Sequence, residues 1–285
     1  MKKIIVFILE LLIISNLFCE DLAGKVFFWT GPESEMSYSF THKRFIKFND
    51  KFYENSYSPS DAEAFFYEIK YENKLPYIYY WKDDTSKKKN QKKLILFNDD
   101  YFFLCHSQSD KSFLEPIGIE AYCTGKYSTS AKVDPIIKRF DKVKYSSVLK
   151  EGNHEYKFPE KDPWWPCIAP WVPDLTKDNN PSITFYEIND YIIKYKERLI
   201  IVNGYVNFEK PYLYEQNSRV KKIEVIYKNT KTNNSVTQKI ELEDTPNPQY
   251  IFIPENIVAD EITINIIDLY KGTKYKDVAI SYLGY

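Results

Sequence analysis

Residues 220–227 have the sequence VKKIEVIY, in which Ile223, Val225 and Tyr227 alternate with polar neighbours. Residues 262–269, ITINIIDL, alternate in the same way. Such alternation is typical of a β-strand that buries one face and exposes the other to water. These two segments therefore predict antiparallel β-structure in the second half of the chain.

The composition extends this prediction to the whole chain. There are 25 Tyr and 19 Phe but only 8 Gly and 2 Met, and aromatic residues favour the half-buried surface of a sheet. Strands are predicted at residues 25–30, 38–48, 64–71, 77–81, 94–97, 101–106, 117–122, 199–202, 220–227, 236–242, 250–253, 262–269 and 278–283. We therefore predict an all-β chain, with a small antiparallel N-terminal sheet or barrel followed by a two-sheet sandwich or jelly roll.

A helix competes with one of these strands. Residues 60–63, SDAE, form a capping-box pattern, and helical spacing is followed by Ala62, Phe65, Phe66 and Ile69. We favour a hairpin, because a clear strand follows the compatible turn at residues 72–74.

The chain begins with two lysines, then an apolar run over residues 4–14 that only Glu10 interrupts, then a polar boundary. This order predicts a secretory signal peptide over residues 1–19, because the run is shorter than the ~20 residues that a membrane span needs. We expect an exported protein in the periplasm, at the cell surface or secreted. Lipidation at Cys19 is a competing interpretation. A polar stretch at residues 126–132 places the domain boundary between residues 128 and 129, and so divides the mature chain into residues 20–128 and 129–285.

Charge and motifs exclude several function classes. The 39 basic and 40 acidic residues give a net charge of −1, which gives no basic footprint for nucleic acid, and the one basic run, residues 87–93, is interpreted as a solvated loop. No G-x-G, P-loop or G-x-S-x-G motif occurs, and the three histidines are isolated. We therefore expect no cofactor, no metal and no catalysis. A pair of glycosidase-type carboxylates that are distant in sequence stays open.

Two local features are candidates for function or structure. Residues 162–174, DPWWPCIAPWVPD, hold Trp164, Trp165 and Trp171 among prolines, which predicts a rigid loop that either presents flat apolar faces to sugar or plugs the core. Cys105 and Cys123 lie in neighbouring predicted strands, so either a disulfide or simple burial is expected there.

Three further stretches carry a family resemblance: residues 201–207 (IVNGYVN), 214–223 (YEQNSRVKKI) and 270–281 (YKGTKYKDVAIS). They resemble the glycan-binding domain associated with secreted bacterial NAD glycohydrolases, a relative of the coagulation factor five/eight type C, or discoidin, jelly roll. The resemblance covers about residues 142–285. It implies a galactose-binding-like β-sandwich (jelly roll) whose loops at one end contact carbohydrate, with a role in attachment or delivery. Residues 20–128 do not resemble the NAD-cleaving domain, so that activity is not carried over.

The resemblance adds Asn203, Tyr205, Asn217, Arg219 and Tyr275 to the candidate carbohydrate-binding residues. For Asn217 and Arg219 the side chains either bond sugar hydroxyls or tie a loop to the backbone. The leading hypothesis is an exported carbohydrate-binding or adhesion protein whose partner is a glycan or cell-surface polysaccharide, with peripheral association to the envelope. The alternatives are an exported hydrolase with its site in the N-terminal domain, and a structural or assembly protein of the envelope.

Overall fold

The computed structural model describes residues 26–29, 45–48, 52–56, 63–81, 91–97, 101–105, 119–124, 140, 142–158, 169–188 and 198–285. The predictions for the signal peptide, Cys19, Trp164 and Trp165 lie outside these residues. The chain divides into two compact units, Met1–Ile136 and Ile137–Tyr285, eight residues beyond the predicted boundary. No helix in the described part is long and apolar enough to cross a membrane.

The first unit contains a closed barrel of eight antiparallel strands in chain order. The strands are β1 (Val26–Trp29), β2 (Phe45–Phe48), β3 (Phe52–Ser56), β4 (Glu63–Glu72), β5 (Leu75–Trp81), β6 (Gln91–Phe97), β7 (Tyr101–Cys105) and β8 (Ile119–Thr124). Because β1 pairs with both β2 and β8, the sheet has no free edge. The prediction of a small N-terminal antiparallel sheet or barrel is confirmed as a barrel.

The hairpin of β4 and β5 decides between the two interpretations for residues 63–71, the described part of this segment. The structure has a strand there, and Asn73 and Lys74 form the turn with φ of 48° and 66°. Positive φ at both central residues gives the turn whose twist matches that of the paired strands. The predicted solvated loop at residues 87–93 is wrong at its end, since Lys92 and Lys93 lie in β6 and are half-buried.

The register of β7 and β8 does not bring the two candidate disulfide cysteines together. Cys105 lies opposite Ile119, and Cys123 lies opposite Tyr101. The two cysteines are therefore four positions apart along the ladder, or about 13 Å at the rise of a strand. A disulfide needs Cα atoms within roughly 7 Å, so this register does not support the predicted pairing.

The second unit is a β-sandwich. Its elements are β9 (Val143–Tyr145), β10 (Lys150–Glu151), β11 (His154–Glu155), β12 (Ser182–Tyr186), β13 (Arg198–Asn203), helix α1 (Tyr212–Gln216), β14 (Ser218–Asn229), β15 (Asn234–Glu241), β16 (Gln249–Phe252), β17 (Glu261–Tyr270) and β18 (Val278–Gly284). One layer has the order β9-β12-β17-β14-β15, and the other has the order β16-β13-β18. Parallel pairing of β14 with β18 at Ser218 and Arg219 joins them.

Alternating residues of the two layers form one apolar core. The inward positions of β12, β14 and β17 are almost fully buried and pack with the inward positions of β13 and β18. Burying each such side chain contributes about 1.5–3 kcal/mol. The alternation that predicted β14 and β17 is therefore the pattern of the core itself.

Most of the longer connections emerge at one end of the sandwich. In the described residues this end, called the loop end below, consists of the connections that follow β9, β13, β15 and β17: residues 146–158, 169–181, 204–217, 242–248 and 271–277. The opposite end holds the chain terminus, where the rings of Phe140 and Tyr285 lie 5.0 Å apart.

Candidate functional site

The loop end begins at a tight corner after β13. The buried amide of Asn203 donates to the Val220 carbonyl at 2.7 Å and accepts from the Val220 N–H at 2.9 Å. Gly204 follows with φ of +84°, and a Cβ there would lie 2.5 Å from the Tyr214 ring. Only glycine combines that backbone conformation with so close an approach. Asn203 is thus a structural residue, and it is not available to a ligand.

The hydroxyl of Ser281 fixes the segment beyond this corner. Its Oγ donates to the Gly204 carbonyl at 2.7 Å and accepts from the Val206 N–H at 2.8 Å. Both bonds are buried, so Tyr205 lies between two anchored residues. The corner therefore holds Tyr205 at the loop end with little freedom.

Arg219 ties three loop-end segments together. Its Nε and Nη2 donate to the two carboxylate oxygens of Asp244 at 2.8 and 2.9 Å. Its Nη1 donates to the Asn217 carbonyl at 3.0 Å, and lies 3.5 Å from the Lys271 carbonyl. Burial lowers the pKa of Arg219, but its bonds to Asp244 outweigh this and raise the pKa overall. Only 5% of the surface of Arg219 is exposed, so this residue fixes the loops from inside the domain.

Asn217 helps to fix the same loops, and we call these buried loop-fixing residues the frame. Its Nδ2 donates to the Leu213 carbonyl at 2.8 Å, which closes the C-terminal end of helix α1. Of the two roles open for Asn217 and Arg219, the structure assigns loop fixation to both.

Trp171 also lies in the core, so the prediction of a sugar-stacking role for it is wrong. Its side chain is fully buried, and its indole N–H donates to the Ser147 carbonyl at 3.0 Å. Its backbone exchanges two hydrogen bonds with Ile280 of β18, at 2.9 and 3.0 Å. A large aromatic ring with its polar atom satisfied is a stable way to close a sandwich.

The connection from β17 to β18 docks on helix α1. Gly272 approaches the Gln216 carbonyl so closely that a Cβ would lie 2.4 Å from it, and the Tyr275 N–H donates to the same carbonyl at 2.8 Å. The ring of Tyr275 is 37% exposed, with the Lys274 Nζ 4.9 Å from its centroid. Tyr275 is thus a solvent-facing residue of the loop end, as its predicted role requires.

A cluster of two tyrosines and two carboxylates lies beside this frame. We call Glu151, Tyr156, Tyr205 and Asp277 the tyrosine–carboxylate cluster. The Tyr156 hydroxyl donates to Glu151 Oε2 at 2.7 Å, and the rings of Tyr156 and Tyr205 lie 6.3 Å apart, edge to face. All four side chains are partly or fully exposed. The cluster therefore combines partly exposed aromatic rings with hydrogen-bonding groups at the surface.

The hairpin of β10 and β11 supplies half of this cluster. Glu151 pairs with His154 across a turn in which Gly152 has φ of +59°. The Tyr156 N–H then donates to the Leu149 carbonyl at 3.0 Å. These bonds fix the positions of Glu151 and Tyr156, and the Tyr156 ring contacts the ring of Tyr205.

The charges of the cluster raise the pKa values of its own members. Burial raises the pKa of Asp277, and the negative charges of Glu151 and Asp174 raise it further. Burial and the charge of Glu151 raise the pKa of Tyr205. Burial raises the pKa of Tyr156 too, with contributions from Glu151, Tyr205 and Asp277. Both phenols therefore keep their protons at neutral pH and can donate hydrogen bonds.

Within the described residues no group of three His, Cys, Asp or Glu side chains is placed to hold a metal ion. The chemistry that the cluster offers is hydrogen bonding and ring contact.

One known protein family matches most of the second unit. Residues 183–284 match the family described as the NAD glycohydrolase translocation F5/8 type C domain. The match runs from the second residue of β12 to the last residue of β18. It confirms the predicted resemblance to a discoidin-like domain, and the observed sandwich agrees with it. No curated protein matches the chain.

Part of this site was predicted from the sequence. Tyr205 and Tyr275 were predicted and lie at the loop end, whereas Glu151, Tyr156 and Asp277 were missed. Glu151 and Tyr156 lie before the matched residues, in a hairpin whose only sequence signal is the Gly152-Asn153 turn.

Proposed function

We propose that this chain is an exported, non-catalytic carbohydrate-binding or adhesion protein whose ligand contacts the loop end of the sandwich. The observation that carries the proposal is the tyrosine–carboxylate cluster, which stands on a buried frame yet is open to solvent. The family match supports it, because the matched model describes an F5/8 type C domain.

The chemistry of the cluster suits sugar. Carboxylates accept hydrogen bonds from sugar hydroxyls, and phenol hydroxyls both donate and accept. The faces of Tyr156 and Tyr205 offer apolar area for the C–H groups of a pyranose ring. The same set of side chains can therefore contact both the hydroxyl groups and the apolar face of a sugar ring.

The rigidity of the buried frame supports the same proposal, because it limits the conformational entropy that the loops lose on binding. Arg219 with Asp244, and Asn203 with Val220, fix the loops before any ligand arrives. A preorganised site loses less conformational freedom on binding. This matters for glycans, which offer few strong contacts each.

The pattern of residues 1–19 supports export, and a glycan or cell-surface polysaccharide is the partner that an exported protein with this loop end would meet. We expect peripheral association with the envelope. The competing roles, an exported hydrolase and an envelope assembly protein, predict different readouts in the same experiment.

The test is binding of the full chain to an array of bacterial and host glycans, with the strongest ligand then measured by titration calorimetry. Tyr205→Ala should weaken binding at least tenfold. Tyr186→Ala is the matched control, because Tyr186 is half-buried too but ends β12 at the opposite end of the sandwich. Equal binding by both variants and the wild type would overturn the proposal.

Release of reducing ends from the bound glycan would instead support a hydrolase. Stoichiometric capture of an envelope protein that free sugar does not compete away would support an assembly role.

A further inference from the structure

The N-terminal barrel carries an aromatic face of its own on strand β4. Phe66, Glu68 and Lys70 are exposed, while Tyr67 between them is 6% exposed. Because side chains alternate along a strand, the three exposed residues share one face. Phe66 leaves 39% of its surface in solvent on this face.

Neighbouring strands extend Phe66 into a row. Trp81 of β5 lies opposite Phe66, and the two rings are 6.1 Å apart at an interplanar angle of 15°. Nearly parallel rings at this separation are offset, so each covers only part of the other. Phe52 of β3 holds the register position opposite Phe66 on its other side. The rings of Phe66 and Trp81 thus lie side by side on two adjacent strands.

Polar groups lie directly beside the row. Glu68 and Lys70 form an ion pair at 3.0 Å, with side chains 48% and 50% exposed. Tyr79 lies opposite Glu68 in the register, and the Lys70 Nζ is 5.1 Å from the Tyr79 ring. Exposed ion pairs contribute little to stability. Glu68 and Lys70 can therefore give up their ion pair and bond ligand hydroxyls instead at a small cost in free energy.

We propose that this face, defined by Phe66, Trp81, Glu68 and Lys70, is a second saccharide-binding surface that takes a neutral polysaccharide. Offset parallel rings offer flat area to the apolar faces of successive sugar rings, and the carboxylate and ammonium bond the hydroxyls at their edges. The opposite charges cancel, which favours an uncharged chain over an anionic polymer or a charged peptide. The proposal stands independently of the loop end, and a chain with both surfaces would bind polysaccharide at two places.

The experiment uses the full chain and three neutral probes: cellohexaose, chitohexaose and mannohexaose. Binding is followed by the change in tryptophan fluorescence and by retention on the matching insoluble polysaccharides. Phe66→Ala should weaken binding of the preferred probe at least tenfold, and Glu68→Gln should weaken it severalfold. Phe66→Tyr, which keeps the ring, should bind like the wild type.

Tyr71→Ala is the matched control. Tyr71 lies on the same strand with 41% of its surface exposed, but it faces the opposite side of the sheet, so its loss should leave binding unchanged. Circular dichroism and the melting temperature establish that each variant is folded. If Phe66→Ala does not fold, the result for Glu68→Gln decides, with Tyr71→Ala as its control.

Three outcomes overturn the proposal: no binding of any probe by the wild type, equal losses in Phe66→Ala and Tyr71→Ala, or binding that Tyr205→Ala abolishes and Phe66→Ala leaves intact. The last outcome would preserve the loop-end function while removing the barrel site. Conversely, loss in Phe66→Ala with unchanged binding in Tyr205→Ala supports the barrel site as a surface separate from the loop end.

Discussion

Removing the Asp244 carboxylate tests whether the buried arginine holds the loop end together. The side chain of Arg219 is 6% exposed and that of Asp244 is 26% exposed, and two hydrogen bonds of 2.8 and 2.9 Å join them. In Asp244→Ala the guanidinium stays buried with backbone carbonyls as its remaining partners. Removing one partner of a buried ion pair lowers the free energy of unfolding by about 3–5 kcal/mol. Because Asp244 is partly solvated, we expect the lower end of that range.

This loss should lower the melting temperature of the second unit by about 6–12 °C, at roughly 2–4 °C per kcal/mol for a domain of this size. Scanning calorimetry is the assay, because it resolves the unfolding of two units that need not melt together. Asp268→Ala is the control: its partner Lys221 lies at 3.3 Å, but both side chains are well exposed, 53% and 38%. That exposed pair should contribute little to stability, so Asp268→Ala should melt close to the wild type.

A neutral double variant sharpens the result. Arg219→Met combined with Asp244→Leu should be less destabilised than Asp244→Ala alone, because no buried charge is left without its partner. The reasoning would be refuted if Asp244→Ala cost no more than Asp268→Ala, or if the double variant were the less stable of the two.

The remaining predictions concern the frame of the same unit. Gly204→Ala should destabilise it by well over 1 kcal/mol through steric overlap, whereas Gly152→Ala, also at positive φ but with open space around it, should cost only about 1 kcal/mol; urea unfolding compares them. The pKa of Asp174 is lowered to about 2, chiefly by its hydrogen bond with Lys177, so the stability it confers is complete above its unfolded value of 3.8 and is lost as pH falls toward 2. Asp174→Asn should therefore melt below the wild type at pH 6 and together with it at pH 2. Trp171→Phe should destabilise by about 1–3 kcal/mol through the lost buried hydrogen bond, yet leave the glycan dissociation constant within twofold of the wild type.

Hydrophobic alternation predicted most strands because it records which face of each strand enters the core. Strands β14 and β17 follow it along most of their length. Strand β12 was missed because it is only five residues long and follows a proline-rich connection. Its pairing with both β9 and β17 emerges only once the sheet is assembled.

The roles of the candidate site residues depended on partners that spacing along the chain does not reveal. Arg219 meets Asp244, 25 residues away in the connection between β15 and β16. Trp171 satisfies its indole at Ser147, 24 residues away. A polar or aromatic residue in a loop-end motif can brace the loops or contact a ligand, and only its neighbours in space distinguish the two roles.

The most direct test of the central claim is glycan binding by Asp277→Asn, measured by titration calorimetry with the strongest array ligand beside a thermal melt. The pKa of Asp277 is raised by burial and by the charges of Glu151 and Asp174, so its ionised form opposes folding at neutral pH. Asn at this position should raise the melting temperature at pH 7, with the gain vanishing near pH 3, where the wild-type carboxyl is protonated. If the cluster binds sugar, the same variant should lose at least tenfold in affinity, so that stability and binding move in opposite directions. A variant that binds glycan as tightly as the wild type would contradict the account.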